Sequence, residues 1–81
     1  MIIEILLMTN KIKQILDAFD SATVDEILAA LDEIKSHFKS DITRDYLQGK
    51  IKSIKETNDK LEQKKLCKNL LPYFDWYLQG S

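Results

Sequence analysis

Apolar residues recur along the chain at helical spacing. Ile5, Met8, Ile12, Ile15, Leu16 and Phe19 fall on one face of a helix, which predicts a first helix over about residues 3–20. Thr23-Val24-Asp25-Glu26 reads as a capping box, with Glu26 reaching back to the Thr23 amide and two acids placed where the helix dipole favours them. Val24, Ile27, Leu28, Leu31, Ile34 and Phe38 then give a second helix over 23–39. Ser40-Asp41 offers a third cap, and Ile42, Tyr46, Leu47, Ile51 and Ile54 continue as a third stripe over 41–56. Gly49 sits inside that helix, marking either a kink or a close approach by another helix backbone.

Thr57-Asn58-Asp59 reads as a turn and cap before a fourth helix over 59–71, carried by Leu61, Leu66, Cys67, Leu70 and Leu71. No Gly or Pro enforces the break, so one helix from 42 to 71 is the alternative. Pro72 ends the fourth helix and opens a short turn over 72–79 that holds Tyr73, Phe74, Trp76 and Tyr77, with Gly80 as its C-cap. The expected fold is all-α: a small antiparallel four-helix bundle with a short aromatic-rich C-terminal helical turn, in a single helical domain over 1–81.

The stripe of the first helix leaves Ile2, Ile3, Leu6 and Leu7 pointing the other way. A small soluble domain rarely leaves such a patch bare, so these four residues are the expected partner interface, with Tyr73 and Trp76 as secondary contacts. Three other readings compete: burial against the aromatic C-terminus of the same chain, a β-strand over 2–7 that would need pairing, and an extension ahead of a start at Met8. The segment is too short to cross a bilayer, and with Glu4 inside it and no basic n-region it does not read as a signal peptide.

Composition sharpens the case for a partner. Eighty-one residues bury a core with a thin stability margin, and small chains often add a disulfide, a metal or another subunit. Cys67 and His37 are the single cysteine and histidine, so no internal disulfide or Cys/His ligand set is possible, and no metal, cofactor or small-molecule substrate is expected. A homodimer is the expected remedy. The lone thiol fits a reducing compartment, so a cytoplasmic location is expected, without membrane association.

Net charge is −1, but it is unevenly spread. Residues 1–33 carry seven acids against two lysines, and residues 50–68 carry seven lysines against three acids. The plain reading is two solvated faces that attract at long range. The alternative is a nucleic-acid face formed by Arg44, Lys50, Lys52, Lys55, Lys60, Lys64, Lys65 and Lys68, with Arg44 near the start of a recognition helix. Residue choice argues against it: arginine occurs once, no aromatic interleaves with the lysines, and Asp41 and Asp45 would repel phosphates beside Arg44.

Catalysis has no support in the motifs. Cys67 shares a face with Leu70 and Leu71, and acidic pairs such as Asp25-Glu26 and Asp32-Glu33 sit on exposed helix faces. The expected function is a non-enzymatic protein–protein interaction module, of adaptor, inhibitor, immunity or assembly type, self-associating through the outer face of helix 1.

Overall fold

Thr23 starts the helix around which the others pack. In the computed structural model, which describes the backbone of residues 2–79 and the side chains of residues 9–79, its backbone is extended and its hydroxyl accepts the Glu26 amide at 3.1 Å. The reciprocal half of the box differs from expectation: the Glu26 carboxylate accepts a hydrogen bond from the Thr23 hydroxyl at 3.1 Å rather than from the Thr23 amide. Helix α2 (Val24–Lys35) then buries Val24, Ile27, Leu28, Ala30, Leu31 and Ile34. It packs against every other helix of the bundle.

The remaining elements are α1 (Ile2–Asp17), a 3-10 turn (Phe19–Ser21), α3 (Asp41–Lys55), α4 (Lys60–Lys68) and α5 (Leu71–Leu78). The protein is a small all-α helical bundle, with no strand among the described residues. The backbone is helical from Ile2, which removes the strand reading of 2–7. The side chains of Ile2, Ile3, Leu6 and Leu7, on which the expected interface rests, lie outside those described, as do Ile5, Met8 and Gly80. No helix among the described residues is long and apolar enough to cross a membrane.

Several boundaries move inward. α1 stops at Asp17 and its stripe continues through the 3-10 turn, so that Phe19 packs against the core from a tighter coil. α2 stops at Lys35, where the Ser36 hydroxyl donates to the Glu33 carbonyl and competes with the backbone ladder. Phe38 still reaches the core, but from the loop. The alternative of one helix from 42 to 71 fails at residues 56–59: Thr57 bonds back to Ser53 through its hydroxyl, and Asp59 begins a new helix by accepting the Leu61 amide at 3.2 Å. The C-terminal segment is a short helix as expected, one residue earlier than 72–79, with Pro72 in its first turn, where a missing amide costs nothing.

The third and fourth stripes need correction. On α3 the core face is Leu47, Ile51 and Ile54, whereas Ile42 and Tyr46 lie about 145° and about 105° from its centre and are 82% and 48% exposed. On α4 the core face is Gln63 and Cys67, and Leu61 is 80% exposed. Ile42 and Leu61 are each the second residue of a helix, where the chain has only just left a loop. Reading them into the stripe extends the periodicity one turn too far. Gln63, the one buried polar side chain among the described residues, takes the core position and donates its amide to the Ile54 carbonyl at 2.8 Å, fixing the start of α4 to the end of α3.

Candidate interaction surface

The surface that stands out on the described part of the molecule is built where Tyr73 of α5 meets Tyr46 of α3. Phe38, 5% exposed, meets the edge of Tyr73 at a ring separation of 6.1 Å. Tyr73 in turn touches Tyr46 at 6.0 Å and Trp76 at 5.0 Å, the latter edge-on. The rings therefore run from the core outward, ending at Tyr46 and Trp76, each 48% exposed. Ile42, one turn ahead of Tyr46 on α3, extends the patch, and Lys50, one turn behind, holds its ammonium 5.4 Å over the Tyr46 ring.

Local sequence sets this geometry. Ser40 caps α3 by accepting the Thr43 amide at 3.3 Å, and Arg44 clamps the α2–α3 connection by donating to the Phe38 carbonyl and the Asp41 carboxylate. That clamp fixes where α3 leaves the loop and so where Ile42 and Tyr46 stand. Tyr73 and Trp76 share a side of α5 by their three-residue spacing, while Phe74 between them is fully buried as the anchor. Burial pushes the Tyr73 phenol up from its ordinary value, with the neighbouring Tyr46 phenol adding to the rise. Beside the rings, Tyr46, Lys50, Ser53, Leu66, Asn69 and Leu70 line a hollow of about 180 Å³.

Of the expected interface residues, the structure thus brings Tyr73 and Trp76 together and joins to them Ile42 and Tyr46, which the sequence assigned to the core. The signal for those two was present: Ile42, Tyr46, Gly49 and Ser53 repeat at four, three and four residues, a face separate from Leu47, Ile51 and Ile54.

The basic residues do not form a comparable site. Arg44 is committed to the loop clamp. Lys64 points back to the Ala22 carbonyl, lies 3.4 Å from the Asp20 carbonyl and sits 4.8 Å over the Phe19 ring. Lys50, Lys52 and Lys55 are exposed but spread over more than half the circumference of α3, and Lys60, Lys65 and Lys68 are exposed on α4. Lys35 pairs its ammonium with Asp32 at 2.9 Å and holds that carboxyl below its usual value, with a smaller pull from Lys55. A wider hollow of about 570 Å³ opens beside Leu61, but Asp20 and Asp25 on one rim oppose Lys60 and Lys64 on the other, so it favours neither charge.

Cys67 is sealed in the core, and burial pushes its thiol up, against a smaller opposing pull from Lys64. His37 is exposed and sits edge-on to Tyr77 at 5.4 Å. Among the described residues no group of His, Cys, Asp and Glu is arranged to hold a metal. No protein-family model, curated protein or solved structure matches the chain.

Proposed function

We propose that the protein is a small protein–protein interaction module that works by binding rather than by catalysis, and that its binding face is the Ile42–Tyr46–Tyr73–Trp76 surface. The observation that carries this reading is the half-exposed aromatic pair, Tyr46 and Trp76, held from below by Tyr73 and bordered by the 82% exposed Ile42. Large aromatic side chains on a rigid base lose little conformational freedom on binding and are enriched at interface hot spots. Nucleic-acid binding is the weaker alternative, because Arg44 and Lys64 are spent on backbone carbonyls within the fold.

A photo-crosslinking residue placed at position 42, in the cells that make the protein, tests the proposal. A defined protein adduct that disappears with Trp76→Glu is the expected result. Adducts that form equally with Trp76→Glu, or duplex DNA binding that weakens steeply with salt, would overturn it.

A further inference from the structure

Gly49 has no close neighbour among the described residues. α3 runs unbroken through it, it is exposed, and a Cβ built on it would meet nothing within 4 Å. A glycine in the interior of a helix weakens that helix, and no close neighbour among the described residues accounts for it. The open space beside it admits an approach from outside.

The face around it is self-complementary. At 100° per residue, Ile42, Tyr46, Gly49 and Ser53 fall within an arc of about 60°, so one half of the stripe is bulky and the other half small. We infer that α3 packs against α3 of a second copy, antiparallel, about a two-fold axis beside Gly49. This rests on the aromatic face proposed above and names its occupant. A two-fold axis there brings the two Gly49 backbones together and lays each Tyr46 ring over the small half of the other copy's stripe, at Gly49 and Ser53. A parallel pairing would instead set Tyr46 on Tyr46 and leave a void at Gly49.

Charge agrees with the antiparallel choice. Asp45 and Lys52 are both exposed on the same flank of the stripe, and the two-fold axis places Asp45 of one copy level with Lys52 of the other, twice. Glu56 turns toward Asp41 of the second copy, but that carboxylate already has Arg44. Lys50 on the opposite flank stays over its own Tyr46 ring. One helix pair with a few aromatic neighbours makes a small interface, so the dissociation constant falls on the order of 10–1000 μM.

Sedimentation equilibrium on the full chain, at concentrations to about 1 mM, reads the dimer directly. The substitution Gly49→Ala is expected to weaken the dimer about tenfold while raising the Tm of the dilute monomer by about 4–8 °C, because the methyl group helps the helix and hinders the approach. Asp45→Lys and Lys52→Asp are each expected to weaken dimerisation, and the double swap to restore it. A chain that stays monomeric throughout, or a dimer unmoved by Gly49→Ala and by the charge swaps, overturns the inference. A monomer that still forms the position-42 adduct with another protein leaves the broader reading standing, whereas loss of that adduct fails the broader reading itself.

Discussion

Gln63 is the polar side chain on which the α3–α4 corner depends, and replacing it separates three physical effects. Its side chain is 7% exposed and its amide bonds the Ile54 carbonyl at 2.8 Å. That carbonyl also accepts the Thr57 amide at 3.1 Å, so removing Gln63 does not orphan it. Gln63→Leu keeps the volume and loses only the hydrogen bond, a cost of about 1 kcal/mol. Gln63→Ala adds the loss of buried atoms and a partial cavity, for a total of about 2–3 kcal/mol. Gln63→Glu behaves differently, because a carboxylate there would face a carbonyl at the negative end of the α3 dipole. Burial raises the folded-state pKa of such an acid, so the variant is near wild type below about pH 4 and loses stability as pH climbs from the unfolded value to the folded one. A rise of about two units costs about 2.7 kcal/mol at pH 7. Urea titrations at pH 4 and pH 7 measure all three variants, with unchanged m values as the check on two-state unfolding. A Gln63→Glu protein as stable as wild type at pH 7 would refute the reasoning, since it would mean that the side chain reaches water.

Three further outcomes follow from local geometry. Thr23→Ala removes the α2 cap and should cost about 1 kcal/mol in thermal or urea unfolding, with Thr23→Ser close to wild type. Cys67 in the folded protein should react with a thiol reagent at least tenfold more slowly than in urea, and equal rates would contradict its burial. Asp32 contributes stability at neutral pH that fades as pH falls below its usual value of 3.8, because its folded pKa is the lower one. Wild type should therefore exceed Asp32→Asn by about 0.5 kcal/mol or less at pH 7, a gap that closes in acid titration.

The all-α bundle was legible because Val24, Ile27, Leu28, Leu31 and Ile34 repeat without interruption behind a Thr23 cap, and local pattern and packing agree there. The site was half legible. Tyr73 and Trp76 share a side by spacing alone, but Ile42 and Tyr46 carry the same apolar character as the core residues beside them. Hydrophobicity does not say which of two stripes on one helix faces inward. The buried Gln63 settles that for α4, and nothing in its residue type announces it. The clamp made by Arg44 was equally hidden, since a cation near two acids reads as a surface charge until its carbonyl partner in the loop is seen.

Lys64 ties α4 to carbonyls 42 and 44 positions earlier in the chain. A tie across so long a loop forms only after the helices have docked, because closing the loop costs entropy before the bond returns anything. Its contribution is then absent from the folding transition state and present only in the finished protein. Lys64→Met should leave the refolding rate alone and speed unfolding, so this one ammonium lengthens the life of the folded state without hastening its arrival.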